Sequence, residues 1–441
     1  MIVGAKSRRW MFGPLAMALL ILGACERSPS DPITGPNLVL VRTIVPSDLR
    51  NDDEFGWAVA FDGNRLLAAT MPAVRYTFPL GQAFLFEKDK GGTGEWGEVK
   101  RVAGGDGVDP DFFGWAVALA GDDAFVGAPQ ENDIEADAGA VHVFSRDQGG
   151  AEAWGEKERL TDADGRRVDY LGQALSVDGD TALVGAPGDS SAVPGGGAAH
   201  VFVRDQGGPE NWVETAKIQP SDSRDAARFG TSVALDGDVA VIGAPADGVP
   251  GALYGAAYVF RRSGDAPGIW QEVKKLGAFD PVDWDGFGYS VAVSGDLAIV
   301  GASTKHEAGV ELGAAYLFGR DQGGPDQWGL IKKISAADGV SGDGFGSSVS
   351  ISDDYILIGA PWVTADGMPP YMIGSVYVYG RDYGGAEPWG FIKKLLPPNI
   401  GEFAQFGLSM ALSGNLFAVG APHTPSGGAQ RGAVYIFRID P

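Results

Sequence analysis

The sequence predicts an all-β protein, a seven-bladed β-propeller of four-stranded antiparallel blades whose ring is closed by an N-terminal strand. Three markers in one register carry this reading. Phe-Gly recurs at Phe55, Phe113, Phe229, Phe287, Phe345 and Phe406, with Leu171-Gly172 in the missing place; the interval is 58 residues, and 61 for the last. Fourteen residues after each of these positions comes Gly-Ala-Pro, at Gly127, Gly185, Gly243, Gly359 and Gly420. Gly301-Ala302-Ser303 is a variant and Ala69-Thr70-Met71 the most degraded copy. Trp96, Trp154, Trp212, Trp270, Trp328 and Trp389 keep the same beat. Repetition also explains how 441 residues serve one array: each unit packs only against its neighbours, so length adds units and leaves the core no thicker.

Before the array, residues 1–25 read as a lipoprotein signal peptide. Lys6, Arg8 and Arg9 form a positive region, and Trp10 to Leu22 is a mostly apolar stretch too short to cross a bilayer as a helix. It ends in Leu22-Gly23-Ala24-Cys25, which resembles the lipobox of bacterial lipoproteins, where the cysteine is acylated and becomes the new N-terminus. Cys25 is the sole cysteine, so lipidation accounts for it and no intramolecular disulfide can form. Ser7-Arg8-Arg9-Trp10-Met11-Phe12 also resembles a twin-arginine export signal, which leaves the export route open. Residues 26–36 read as a tether, and 37–441 as the propeller.

The fourth repeat shows the elements of a blade. Phe229 to Leu235 alternates small and apolar residues, as an inner strand crowded around a central axis requires. Asp236-Gly237-Asp238 is a tight turn, Val239 to Pro245 a fully apolar second strand, and Gly255 to Arg261 a third. Trp270 to Leu276 is the outermost strand, where Lys274 and Lys275 place charge on an exposed edge. The last repeat stops at Ile436-Phe437-Arg438 without an outermost strand. Val41-Arg42-Thr43-Ile44 ends eleven residues before Phe55, just as Val273 to Leu276 ends eleven before Phe287. The N-terminal segment is therefore expected to complete the seventh blade.

The pairing of Phe-Gly with Gly-Ala-Pro over about residues 38 to 441 resembles the FG-GAP repeat of integrin alpha-subunit heads and bacterial envelope proteins. That resemblance implies a non-catalytic binding or scaffolding module for a protein or glycan partner, attached to the membrane through its N-terminal lipid at the outer membrane or cell surface. The alternative is a carbohydrate-active hydrolase or lyase using acidic residues at the channel mouth. A net charge of −23, three units more negative once Lys6, Arg8 and Arg9 leave with the leader, argues against nucleic acid as a partner.

Each polar position of the repeat has an architectural reading. His142 and His200 share one position with Phe84, Tyr258, Tyr316, Tyr377 and Tyr435, an aromatic column on the third strand. Asp48, Asp106, Asp164, Asp222, Asp280 and Asp338 share another, with Asn399 in the seventh place; Asp53, Asp111, Asp169, Asp285 and Asp343 precede Phe-Gly by two. Both sets are expected to cap the turns between blades through nearby backbone amides. No cofactor and no metal are required; weak calcium binding would fall to Asp48, Asp53, Asp106, Asp111, Asp280 and Asp285. Integrin blades that bind calcium carry an Asp-rich loop between their two motifs, for which the constant spacing of fourteen here leaves no room. Arg-Asp-Gln-Gly-Gly at Arg146, Arg204 and Arg320 is a hairpin whose glycines supply positive φ.

The connection after the sixth second strand holds the only insertion and gathers Trp362, Met368, Tyr371 and Met372. These large apolar residues are the candidate partner-binding site; the alternative is a lid folded over the channel mouth.

Overall fold

The computed structural model describes residues 36–440 apart from 72–80, 105–110, 207, 209, 250–251, 265–267, 365–371, 384–387, 399–402 and 427–428. Cys25, Asp106, Asn399, Met368 and Tyr371 lie outside the described residues. Seven four-stranded antiparallel sheets follow one another around the ring. Blade 1 comprises Val59–Phe61, Arg65–Ala69, Gln82–Lys88 and Trp96–Ala103; blade 2, Val117–Ala120, Asp123–Ala128, Ala140–Ser145 and Gly155–Leu160. Blade 3 is Ala174–Asp178, Thr181–Ala186, Ala198–Arg204 and Trp212–Ile218; blade 4, Ser232–Asp236, Val239–Ala244, Ala256–Arg262 and Trp270–Leu276. Blade 5 is Phe287–Ser294, Leu297–Ala302, Ala314–Gly319 and Gly329–Ile334; blade 6, Ser348–Ile351, Tyr355–Ala360, Ser375–Gly380 and Gly390–Leu395.

Blade 7 takes Met410–Ser413, Leu416–Ala421 and Ala433–Asp440 from the end of the chain and Asn37–Ile44 from its beginning. The N-terminal strand enters in the register of every other outermost strand. Thr43 pairs with Tyr435 as Lys275 pairs with Tyr258, and a bulge falls at Val41 just as one falls at Val273. Such a bulge leaves one residue unpaired and tightens the twist at the blade's edge.

The two sequence motifs meet in the backbone. Within a blade the amide of Gly230 donates to the carbonyl of Gly243 at 3.0 Å, tying Phe-Gly to Gly-Ala-Pro. Between blades, a β-carbon added at Gly243 would lie 2.0 Å from the carbonyl oxygen of Gly288, so only glycine allows this approach. Ser232, Ser290, Ser348 and Ser409 donate from the inner strands to Gly288, Gly346, Gly407 and Gly56 of the next blade. The last of these crosses the point of ring closure. The phenylalanine of each motif is buried in the inter-blade core; Phe229, for example, packs among Leu183 and Val201 of blade 3 and Val233 and Tyr258 of blade 4. It also forms an isolated parallel bridge to Gly197, and Phe55 makes the same bridge to Gly432 across the closure.

The structure adds one element the sequence did not suggest. Short hairpins, Gly248–Val249 with Ala252–Leu253 and His306–Glu307 with Val310–Glu311, rise from the second-to-third connections of blades 4 and 5, and Pro425–Ser426 with Ala429–Gln430 from blade 7. In an antiparallel blade these connections share a face with the inter-blade linkers. The turns between first and second strands, such as Gly179-Asp180, and the Arg-Asp-Gln-Gly-Gly hairpins lie on the other. There Gly149, Gly150, Gly323 and Gly324 have the positive φ expected of them.

Candidate functional site

On the linker face, a recurring strut joins elements of blades 4, 5 and 6. In blade 4 the buried Tyr258 hydroxyl lies 2.8 Å from both Asp222 of the linker and Asp247 of the second-to-third connection, with one proton shared between the two carboxylates. Lys275 of the outermost strand lies 2.6 Å from both carboxylates. Tyr316, Asp280 and Lys333 repeat the arrangement in blade 5, and Tyr377, Asp338 and Lys394 in blade 6. Blade 1 lacks the hydroxyl, and there Arg101 grips Asp48 with two hydrogen bonds while lying over the Phe84 ring at 4.4 Å.

This corrects the expectation that the first acidic position caps backbone amides. Asp48, Asp222, Asp280 and Asp338 bond side chains from distant strands, because the linker runs beside the outermost strand of the blade it enters. The second acidic position does cap as expected. Asp53, Asp169, Asp285 and Asp343 each accept from the amide three residues earlier, at 2.6 to 2.8 Å. In blade 5 the acid of the connection is replaced by Lys305, which is buried and salt-bridged to Asp285 at 2.8 Å.

Blades 2 and 3 carry histidine in place of tyrosine. His142 has carboxylates on both sides, Nδ1 2.9 Å from Glu156 and Nε2 3.2 Å from Glu131, and Arg159 braces both acids. Burial works against its charge, but the two carboxylates outweigh that and hold its pKa above the ordinary value; His142 and Arg159 together bring Glu156 down to about 2. His200 is equally buried, with Nδ1 2.8 Å from Glu214. Its Nε2, however, makes no hydrogen bond among the described residues and faces Asp162 Oδ2 at 3.9 Å. Lys217 contacts Asp162 at 2.7 Å and Asp189 at 3.0 Å. An open cavity of about 860 Å³ borders this group, lined by Asp162, Asp164, Ser191, Glu214 and Lys217 among others.

Residues 96–144, 154–202, 212–260, 270–318, 328–379 and 389–437 each match the FG-GAP repeat, and together they make up about two thirds of the chain. The chain belongs to the FG-GAP repeat family. No curated protein matches it significantly. Each matched FG-GAP unit runs from the outermost strand of one blade through the third strand of the next, so the sequence unit and the blade are staggered. Six units match although the ring has seven blades; the unmatched unit is the one built from Asn37–Ile44 and blade 1, which carries the degraded Ala69-Thr70-Met71.

In this FG-GAP propeller four of the calcium candidates are engaged in other bonds. Asp48 is held by Arg101, Asp53 by the Arg50 amide, Asp280 by Tyr316 and Lys333, and Asp285 by Lys305. Asp111 sits at the capping position, and Asp106 lies outside the described residues. The described acidic groups that gather three potential ligands are elsewhere: Asp162, His200 and Glu214, and Asp162, Asp169 and Asp189.

The candidate partner-binding residues are not presented alike. Trp362 is half-buried, its ring set so closely over Gly344 that a β-carbon there would meet Cε3 at 2.1 Å. The ring therefore packs against the linker that enters blade 6. Met372 is 39% exposed. A larger exposed apolar group stands on the linker between blades 4 and 5 and the adjoining hairpin: Phe279, Val282 and Trp284 with Val249 and Tyr254. Its signal in the sequence was the replacement of repeat positions held by Val168, Ala226 and Gly342 with Trp284.

Proposed function

We propose that this chain is a non-catalytic binding module, held at the bacterial cell envelope by lipid on Cys25 and recognising a protein or glycan partner through its linker face. The observation that carries the reading is Trp284. It is 65% exposed, with φ of 66°, a left-handed conformation that a bulky residue adopts at a cost. The backbone around it is firmly held. The Trp284 amide donates to Leu253 at 2.7 Å, its carbonyl accepts from Thr304 at 2.6 Å, and Asp283 accepts from the Leu253 amide at 2.6 Å. A rigidly presented aromatic beside Val249, Tyr254 and Val282 is what a recognition surface needs: large contact area with little entropy left to lose.

The opposite face supports the same choice, since its turns repeat from blade to blade and offer little that one blade does differently. The linker-face acids Asp48, Asp222, Asp247, Asp280 and Asp338 are tied up in struts, which favours binding over hydrolysis.

The test compares the wild type, Trp284→Gly and Asp122→Ala for retention on immobilised envelope glycans and by solubilised envelope proteins. Gly342 holds the matching position in the next linker, so Trp284→Gly is compatible with the fold; Asp122 is on the opposite face. Loss of retention by more than about tenfold in Trp284→Gly alone is expected. Equal retention by all three sinks the assignment of this face. Cys25→Ser is expected to release the chain from membranes.

A further inference from the structure

We propose that His200 and Asp162 bind one divalent transition-metal ion of the zinc class, with Glu214 orienting the imidazole. The argument begins with one register position read across three blades. In blade 4 the Tyr258 hydroxyl fills the space between ring and acids, bonding Asp222 and Asp247. In blade 2 the histidine is shorter, but Glu131 reaches its Nε2 at 3.2 Å. In blade 3 the residue at Glu131's position is Asp189, one methylene shorter, and it turns away to Ser191, Gln219 and Lys217. His200 Nε2 is therefore left buried with no hydrogen-bond partner among the described residues.

The protonation of the ring follows from its other nitrogen. Glu214 can only accept, so a neutral imidazole bonded to it carries its proton on Nδ1 and offers the Nε2 lone pair toward Asp162. The 3.9 Å separation between Nε2 and Asp162 Oδ2 is too long for a hydrogen bond. It suits two metal–ligand bonds of about 2.0 to 2.2 Å through one ion. A carboxylate on the far nitrogen is the arrangement that fixes the tautomer of a metal-ligating histidine and raises its basicity.

The surrounding charge calls for a cation as well. Asp162, Asp169 and Asp189 bring ligand oxygens within 4.8 Å of one another. Asp169 Oδ1 is buried without a hydrogen bond, and neither Asp169 nor Glu214 has a lysine or arginine ion pair among the described residues. Lys217 is shared between Asp162 and Asp189, and its stem borders the cavity, so its ammonium can swing outward as the ion enters. The cavity supplies the route and a water ligand. Imidazole nitrogen among the donors selects a borderline ion over calcium, which takes an all-oxygen shell.

The purified full chain, stripped with chelator, is dialysed against zinc and assayed for bound metal, with a parallel cobalt(II) absorption titration to report nitrogen coordination. One equivalent is expected for the wild type. His200→Tyr restores the residue that blades 4 to 6 use and is expected to fold; it and Asp162→Asn weaken binding by more than about tenfold, whereas His142→Tyr leaves it unchanged. Wild type that binds no zinc overturns the proposal in favour of a water bridge. Zinc held equally by His200→Tyr and Asp162→Asn overturns it in favour of adventitious surface carboxylates, as does a calcium preference indifferent to both changes. If His200→Tyr does not fold, Asp162→Asn decides alone.

Discussion

A β-carbon added to Gly185 of blade 3 would lie 2.0 Å from the carbonyl oxygen of Gly230 in blade 4, so these two glycines bring neighbouring blades into backbone contact. Neither backbone can yield without disturbing the hydrogen bonds that tie each motif together. Gly185→Ala is expected to cost about 3 kcal/mol or more, the upper range for overpacking. Gly277→Ala, where the added carbon meets nothing within 4 Å, is expected to stay within about 0.5 kcal/mol of wild type. Denaturant midpoints for the two variants check this; equal midpoints count against the motif's packing role.

Lys305 and Asp285 form a buried pair in blade 5, where blades 2 to 4 place an acid in the connection. Removing the lysine alone leaves Asp285 buried and uncompensated. Lys305→Met is expected to destabilise by about 3 to 5 kcal/mol, and adding Asp285→Asn to recover part of that loss. A double-mutant cycle by urea unfolding measures the coupling.

Deleting residues 37–45 removes the strand that completes blade 7 and exposes the edge of Ala433–Asp440. Deleting 26–35 leaves the described ring intact. The first change is expected to lower Tm by more than about 10 °C and the second by little. Matching melting curves for both deletions would remove the closure argument.

His142 and Glu156 stabilise the fold over a defined pH window. The histidine's pKa is raised on folding, so its contribution is complete below about pH 6.5 and fades as pH rises through the folded value. Glu156 is depressed to about 2, so its contribution is complete above about pH 4.5 and fades as pH falls toward 2. The stability difference between wild type and His142→Gln should therefore be largest between about pH 4.5 and 6.5 and shrink on either side. Unfolding free energies measured from pH 3 to 9 test it; a flat difference contradicts the charged pair.

The repeat spacing was enough to place the blades. Phe-Gly, Gly-Ala-Pro and the tryptophans recur because each blade must present the same volumes and the same backbone contacts to its neighbour. Val41 to Ile44 was legible as the missing strand for the same reason, since its distance to Phe55 copies that of every other outermost strand. The setting of Trp362 was not legible, because a large apolar residue on a loop looks the same in sequence whether it faces solvent or, as here, lies over Gly344.

The site around His200 belongs to the tertiary structure. Its imidazole, Asp162 and Asp189 come from a third strand, a linker and a connection, and in the sequence His200 is one more member of an aromatic column shared with His142. What separates the two is one methylene, Glu131 against Asp189, which decides whether a carboxylate reaches Nε2. Periodicity records the backbone geometry that every blade shares, and so the sequence by itself determined the ring. Charge pairing depends on gaps of an ångström or two between side chains of different strands, and only the folded chain decides those.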